Sequence, residues 1–103
     1  MKNELEFVES SLKIKIKILK TGWKHICLKH PDLQGNFKIL KECIESSEIV
    51  RRSKQDKQVY LYYKKVNGKY ICAVCKHYNG DGFLITAYYS YRLQGKKILW
   101  QKK

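Results

Sequence analysis

The fold is decided by one stretch near the C-terminus, Gly82-Phe-Leu-Ile-Thr-Ala-Tyr-Tyr-Ser-Tyr-Arg92. Successive side chains of a strand point to opposite faces, so this stretch predicts one apolar face and one face with three hydroxyl groups in a row. The hydroxyl row could hold a phosphate, or it could simply reflect that Thr and Tyr are good strand formers on a wet face. The expected core-facing residues are Phe83, Ile85, Ala87 and Tyr89, and the expected outward-facing residues are Leu84, Thr86, Tyr88 and Ser90.

The composition predicts one folded, strongly basic domain over residues 1–103. Hydrophobic residues make up 44% and aromatic residues 13% of the chain, which is typical of a globular domain and not of a disordered basic tail. With 22 Lys and Arg against 9 Asp and Glu, the formal net charge is +13, which predicts a polyanionic partner such as nucleic acid. We expect no membrane partner and a cytoplasmic location, because no apolar run is long enough to cross a bilayer and the first residues lack a signal-peptide core.

Four cysteines raise the question of a metal site or disulfides. Cys72 and Cys75 have the spacing of half a zinc site, but they fall within an apparent strand, where positions three apart point to opposite faces. The other two, Cys27 and Cys43, are too far apart in sequence to form a second pair of zinc ligands. We therefore expect buried, reduced thiols, with no metal and no other cofactor.

An alternating stretch near the N-terminus predicts a second strand. It runs from Leu12 to Leu19, with leucine and isoleucine side chains directed inward. Its outward side chains form a row of lysines, which would protect an edge strand from pairing with other chains or would add to a polyanion-binding surface. The lysines of this row are Lys13, Lys15 and Lys17.

Two helices are expected next, followed only by strands. Thr21 can cap a helix that must end near His30, because Pro31 restricts the residue before it. A second helix, from Leu33 or Asn36 to Ser46, carries an apolar stripe. The segments predicted as strands after it are Glu48 to Arg52, Gln58 to Lys65, Tyr70 to His77 and Lys97 to Gln101. Together these elements predict an α+β fold, with two N-terminal helices packed on one face of a twisted antiparallel sheet of about four to five strands.

Turn signals set the expected strand register. Asn67-Gly68 is a strong signal for a two-residue hairpin turn, which would place Lys76 opposite Val59. A four-residue loop from Tyr78 to Asp81 would then place Lys76 opposite Leu84, on the same face as the hydroxyl row. A slip of one residue would move that row to the other face.

Few residues could support RNA cleavage without a metal, which needs a proton acceptor and groups that stabilise a pentavalent phosphorane. His30, held at a helix end by Pro31, is the histidine best placed to point into a cleft, although such a histidine can also be a cap or a surface residue. Lys76 interrupts an apolar row and must reach solvent or an anion. The arginines able to bind phosphate, or to be solvated surface charges, are Arg51, Arg52 and Arg92.

Four motifs occur in a characteristic order: Trp23-Lys-His-Ile26, Lys29-His30-Pro31, Tyr70-Ile-Cys-Ala-Val-Cys-Lys76 and Gly82-Phe-Leu-Ile-Thr-Ala-Tyr88. This ordered set resembles the phage members of the barnase, EndoU, colicin E5/D and RelE-like RNase superfamily, over about Thr21 to the C-terminus. The resemblance implies helices on one face of an antiparallel sheet and a catalytic cleft on the other. It also implies metal-independent RNA cleavage, commonly by a toxin that an antitoxin inhibits.

The resemblance assigns His30, Lys76, Thr86 and Tyr88 to the polar positions of that superfamily. The chain departs from its pattern with Lys29, where an arginine often precedes the histidine, and with Tyr89-Ser-Tyr91, where a proline often follows the tyrosine. These departures affect the phosphate contacts that flank the site.

The sequence thus predicts a toxin-type endoribonuclease in which the 2′-hydroxyl attacks the adjacent phosphate and a 2′,3′-cyclic phosphate is left. His30 would act as base or acid, Lys76 would stabilise the phosphorane, and Thr86 and Tyr88 would orient the phosphate, with Tyr88 as a candidate second proton carrier. The expected partners are RNA, with or without the ribosome, and an acidic antitoxin. The residues expected to hold the RNA backbone are Arg51, Arg52, Arg92, Lys13, Lys15 and Lys17.

Two other classes of function fit the same composition. A non-catalytic RNA-binding module would use a basic, tyrosine-rich sheet to stack bases and contact phosphates. A partner-binding domain would use the basic face to meet an acidic protein.

Overall fold

A computed structural model describes residues 5–95 and 98–102 of the chain. Within those residues one seven-stranded sheet, in the order β1-β2-β6-β5-β4-β3-β7, is packed on one face by two α-helices and a short 3₁₀ turn. The strands are β1 (Leu5–Glu9), β2 (Lys15–Leu19), β3 (Ile49–Arg52), β4 (Val59–Val66), β5 (Lys69–Tyr78), β6 (Asp81–Ser90) and β7 (Ile98–Gln101), the helices are α1 (Lys20–Lys29) and α2 (Phe37–Glu45), and the 3₁₀ turn is Pro31–Leu33.

The predicted antiparallel sheet of four to five strands is wrong. The chain is α+β, but the described residues form seven strands in a mixed sheet, because β2 runs parallel to β6. The strand missed by the sequence is β1, where only Val8 is buried and two glutamates lie among its five residues. A parallel pair has no turn to signal it, because its strands are joined by a long crossover.

The second strand is also shorter than its alternating pattern predicts. Residues 10–14 form a tight turn in which the hydroxyl oxygen of Ser10 accepts hydrogen bonds from the backbone N–H groups of Leu12 and Ile14. Lys13 lies at the left-handed φ of 65°, so it leaves the lysine row. β2 is not an edge strand either, because β1 pairs with its other side.

Strands β4, β5 and β6 form a meander with two tight turns. Asn67 and Gly68 have φ of 51° and 84°, and the predicted register, with Lys76 opposite Val59, is confirmed. The next connection is not a four-residue loop. Asn79 and Gly80 form a second two-residue turn, with φ of 53° and 85°, so Lys76 pairs with Phe83 and not with Leu84. Positive φ at both central residues is the requirement of a type I′ turn.

A β-bulge in β6 changes which side chains face the core. Val74 pairs with Thr86, but the next residue of β5 pairs with Leu84, which leaves Ile85 as the extra residue. The one-residue insertion inverts the alternation before it. The predicted inward direction of Phe83 and Ile85 is therefore wrong: the two side chains are 44% and 43% exposed, while Leu84 packs against the main core. After the bulge the prediction is confirmed, because Ala87 and Tyr89 belong to that core.

The helix face of the sheet, covered by α1 and α2, holds the main core. The helices contribute five buried residues, and the strands contribute a continuous apolar layer beneath them. Apolar spacing of three and four residues in α2 gives it the stripe that the sequence predicts. The buried helix residues are Ile26, Cys27, Leu40, Cys43 and Ile44.

The other face, which we call the open face, carries a smaller cluster of buried residues, namely Leu61, Tyr63 and Cys72. Residues 91–95, here called the strap, lead from β6 toward β7 across part of this face. The backbone N–H of Gln94 donates to the hydroxyl of Tyr63 at 2.8 Å. Gly95 lets the strap lie close to β3, because a Cβ there would be 2.7 Å from the carbonyl oxygen of Arg52.

All four cysteines are free and buried. Cys72 packs with the open-face cluster and Cys75 with the main core, as the alternation predicts. Burial raises the pKa of the Cys72 thiol to about 12 and raises that of Cys75 as well, so both stay protonated at neutral pH. Among the described residues, no helix is long and apolar enough to cross a membrane.

The bulge predicts different effects for two isoleucine substitutions. Ile71→Ala removes a fully buried side chain from the main core, and we expect it to lower the free energy of unfolding by about 2 to 5 kcal/mol. Ile85→Ala, at the exposed bulge, should lower it by less than about 1 kcal/mol. Urea denaturation of both variants measures the difference. Equal destabilisation by the two would show that β6 has no bulge.

Candidate active site

The end of α1 fixes the position of His30. Its backbone N–H donates to the carbonyl of Ile26 at 2.8 Å, and Pro31 begins the 3₁₀ turn directly after it. Proline disfavours a helical conformation in the preceding residue, and His30 accordingly leaves the helix with φ of −130° and ψ of 78°. Its half-buried ring lies with its centroid 6.3 Å from that of Tyr88. The expected proximity of His30 and Tyr88 is thus present in the structure.

A cleft opens where β2 and β6 separate. β2 pairs with β6 only at Asp81 to Phe83 and then turns directly into α1. α1 therefore lies beside the next part of β6, where a strand would otherwise continue. The space between them, here called the edge cleft, has a volume of about 520 Å³. It is lined by Gly22, His25, Ile26, Lys29, His30, Ile85 and Thr86.

The edge cleft brings in two residues that the sequence did not single out as site residues. In the sequence, His25 stands out only as part of the motif Trp23-Lys-His-Ile26, and Lys29 only as a departure from a family pattern. Both are exposed and line the same cleft as His30 and Thr86. Residues four apart lie on one side of a helix, so the spacing between His25 and Lys29 was the available signal. The cleft therefore holds two imidazoles, one ammonium group and one hydroxyl.

Tyr88 lies on the open face but is not a free hydroxyl. Burial, and then the proximity of Cys72 and Tyr63, raises the pKa of Tyr88 well above its ordinary value. Tyr88 thus keeps its proton at neutral pH. Its ring lies beside that of His30, and its hydroxyl lies near Cys72 and Tyr63, so Tyr88 is a neighbour of the edge cleft and a poor base.

Lys76 shares the open face with Thr86 and Tyr88, as the sequence predicts. Val74, which pairs with Thr86, lies two residues before Lys76 on β5. The Nζ of Lys76 is 3.5 Å from a carboxylate oxygen of Asp56, in a partly exposed ion pair. Such pairs contribute little to stability, so an anionic ligand can exchange for Asp56.

A second cleft lies on the far side of Tyr88, between the strap and the turn at residues 53–57. It has a volume of about 590 Å³ and is called the strap cleft here. Lys54 and Arg92 supply positive charge at its rim, and Val74 and Leu61 form part of its floor. Tyr88 therefore lies between the two clefts: it lines the strap cleft, and its ring lies beside that of His30 in the edge cleft.

The residues expected to hold RNA do not form one group. Arg51 pairs with Leu61 on the open face, whereas Arg52 pairs with Tyr60 on the helix face, so these two arginines point away from each other. Each has a buried Nε with no hydrogen-bond partner among the described residues. Lys15 and Lys17 lie on the open face, and Lys13 instead lines a polar groove near the end of α2.

The third histidine belongs to a packed stack on the helix face. The ring of Tyr60 stacks on that of His77 with centroids 3.7 Å apart, and the guanidinium of Arg52 lies 5.6 Å from the Tyr60 ring. The Nε2 of His77 is hydrogen-bonded to the hydroxyl of Tyr62 at 2.8 Å. Burial lowers the pKa of His77 to about 4, so it is neutral at physiological pH. His77 is thus accounted for by packing.

This stack predicts a pH dependence of stability. Because the pKa of His77 is about 4 in the folded state and about 6.5 when unfolded, the unfolded chain binds more protons between these values. The free energy of unfolding should be fully retained above about pH 6.5 and should fall as the pH drops toward 4. His77→Phe should flatten this part of the profile in urea denaturation series. An unchanged slope in the variant would assign the effect to another group.

No group of three or more His, Cys, Asp or Glu residues is placed to hold a metal ion in the part of the chain that the structure describes. No protein-family model, curated protein or solved structure matches this chain. Function must then be inferred from the chemistry of the site, because a fold alone does not determine it.

Proposed function

We propose that this chain is an endoribonuclease in which the 2′-hydroxyl of RNA attacks the adjacent phosphate. The new P–O2′ bond forms as the P–O5′ bond breaks, which leaves a 2′,3′-cyclic phosphate and a 5′-hydroxyl. One observation carries the proposal: His25 and His30 line the same cleft as the hydroxyl of Thr86. The reaction needs one group to take the proton from O2′ and another to give a proton to O5′, and imidazole suits both tasks near neutral pH.

The surroundings of the two histidines suggest different roles. His30 is half-buried between α1 and Tyr88, so its ring is held in place, which suits the base that must meet the 2′-hydroxyl. His25 is exposed at the cleft, where its ring is free to reach the leaving oxygen, which suits the acid. Tyr88 would limit the movement of the His30 ring, with no role as a base.

Positive charge and hydrogen-bond donors near the cleft would stabilise the phosphorane. Thr86 would donate to a non-bridging oxygen, and Lys29 would supply the nearest ammonium group. Lys76, paired with Asp56, would bind a neighbouring phosphate along the open face after exchanging partners. Arg92 and Lys54 at the strap cleft would bind the RNA backbone farther along.

The proposal extends to the biology that the motif resemblance implies. An RNase of toxin type, acting in the cytoplasm on free or ribosome-bound RNA, would need an inhibitor that covers its basic surface. An acidic antitoxin is complementary to a chain with a net charge of +13. The rival function is a non-catalytic RNA-binding module, which the exposed aromatic side chains of the open face also favour.

The first test is cleavage of RNA by the purified protein in EDTA, with cyclic-phosphate ends as the expected product. His30→Gln and Thr86→Val should each lower the rate by about ten-fold to a thousand-fold, because they remove a proton carrier and a phosphate donor. Their melting temperatures should change little. Thr21→Val, an exposed position in the first turn of α1, is the matched control and should cleave at the wild-type rate.

Two results would count against the proposal. RNA that stays intact with the protein, both alone and with ribosomes added, would favour the binding module. Cleavage by His30→Gln at the wild-type rate would place the reaction outside the edge cleft.

A further inference from the structure

The open face exposes aromatic rings next to lysines in one cross-strand row. Phe7 pairs with Lys17 of β2, Lys17 pairs with Phe83 of β6, and Phe83 pairs with Lys76 of β5. Paired residues point to the same side of a sheet, and their neighbours Ile16 and Val8 are buried on the helix face. Aromatic and ammonium groups therefore alternate across four strands on the open face.

The next row toward the strand ends adds a third aromatic ring and also two carboxylates, those of Glu9 and Asp81. Glu9 of β1 pairs with Lys15. Lys15 pairs with Asp81, and Asp81 pairs with Tyr78 across the tight turn. The rings of Phe7, Phe83 and Tyr78 are 47%, 44% and 60% exposed. We call this surface the platform, and its members are Phe7, Phe83, Tyr78, Lys15, Lys17 and Lys76.

Neither the helices nor the strap covers the platform. Both helices pack on the opposite face, and the described contacts of the strap are with residues of β3, β4 and their cluster. A single exposed aromatic residue is ordinary on a protein surface. Three of them grouped on one sheet face indicate a binding surface.

We propose that the platform binds single-stranded RNA, with bases stacked on the aromatic rings and phosphates held by the lysines. The alternation itself favours RNA over a protein partner, because the centre of a protein interface is depleted of lysine, whereas Lys17 lies between the two phenylalanines. A sheet with exposed aromatics and nearby cations is a general means of binding single strands.

The spacing of the rings requires unpaired, splayed bases. Phe7 and Phe83 are separated by one strand, so their backbones are about 10 Å apart, compared with about 3.4 Å between stacked bases of a duplex strand. A duplex could not offer bases at that spacing. Lys15 already lies 4.3 Å from the centroid of the Phe7 ring, which shows that this ring accepts a cation and that a flexible side chain must move for a base to stack there.

The platform leads to the proposed active site. Phe83 lies two residues before Ile85 of the edge cleft, and a small apolar groove lined by Phe83, Ile85 and Trp23 joins the two surfaces. The platform thus deepens the proposed function by naming single-stranded RNA as the substrate class. Binding does not depend on cleavage, so the two proposals can fail separately.

The test is fluorescence anisotropy with a labelled twelve-nucleotide oligoadenylate and an abasic oligonucleotide of equal charge. His30→Gln serves as the parent protein, so that cleavage does not disturb the titration. We expect the parent to bind oligoadenylate at least about ten-fold more tightly than the abasic strand. Adding Phe83→Ala or Phe7→Ala should weaken oligoadenylate binding by about five-fold to a hundred-fold and leave abasic binding unchanged, because only stacking is lost.

Three further proteins complete the experiment. Phe83→Tyr should retain the affinity, since any aromatic ring can stack. Leu28→Ala, which truncates a 77% exposed side chain on α1, is the surface control and should bind like the parent. Lys17→Ala should weaken the binding of both oligonucleotides to the same extent. It should also reduce the slope of log affinity against log salt concentration by about one.

Equal affinity of the parent for the two oligonucleotides would overturn the platform proposal. So would a Phe83→Ala variant that keeps the melting temperature of the parent and binds oligoadenylate as tightly. Competition by duplex RNA as strong as by oligoadenylate would do the same. Polyglutamate binding that Phe83→Ala weakens, with RNA binding unaffected, would assign the surface to an acidic protein. Base-dependent binding by a wild-type protein that cleaves no RNA would uphold the platform and reject the proposed catalysis.

Discussion

The β-bulge at Ile85 determines what each face of the sheet presents. Before the bulge, Leu84 points to the helices and Phe83 to the open face, and after it Ala87 points to the helices and Thr86 to the open face. If β6 alternated regularly through Ile85, the side chains of Phe83 and Ile85 would point toward the helices in place of Leu84, and the platform would lose its central ring. The bulge thus lets one strand supply both the core and the two proposed functional surfaces.

Gly82, three residues before the bulge, also contributes to this division of β6 between the two faces. It is buried on the helix face, where a Cβ would lie 2.8 Å from both the Cδ1 of Ile16 and the carbonyl oxygen of Lys76. The absence of a side chain lets β2 and β5 pack closely around the start of β6. β2 then turns into α1 at Lys20, and the departure from β6 opens the edge cleft. The helix that covers the core is therefore also the helix that brings His25 and His30 to the strand edge.

What the sequence could predict was local. Asn67-Gly68 defined its turn and register because positive φ at both residues leaves few alternatives. Pro31 placed His30 at a helix end for a similar reason. The parallel pairing of β2 with β6, the strand at Leu5–Glu9 and the bulge depend on contacts between distant segments, and no residue in them carries a local signal. The position of His25 in a cleft could not be predicted for the same reason. Which side of α1 lines a cleft depends on β6, the distant strand that runs beside the helix.

The charges are distributed unequally between the two faces. On the helix side, the carboxylate oxygens of Glu6 form ion pairs with the Nζ of Lys41 at 2.9 Å and the Nζ of Lys20 at 3.2 Å. These two partners lower the pKa of Glu6. On the open face, Lys76 pairs with Asp56 at 3.5 Å, whereas Lys15 and Lys17 form no ion pair with the described residues. Glu9 and Asp81 occupy the strand positions opposite Lys15.

Two features of the open face raise the free energy of the folded protein without a ligand. They are the repulsion between lysines that lack ion pairs and the hydration of the exposed rings. A polyanion with flat bases would relieve both at once. Because a ligand that binds only the folded state shifts the folding equilibrium toward it, the proposed RNA binding would also stabilise the fold. The same surface that limits the stability of the free protein would then provide the driving force for the proposed binding of RNA beside the edge cleft.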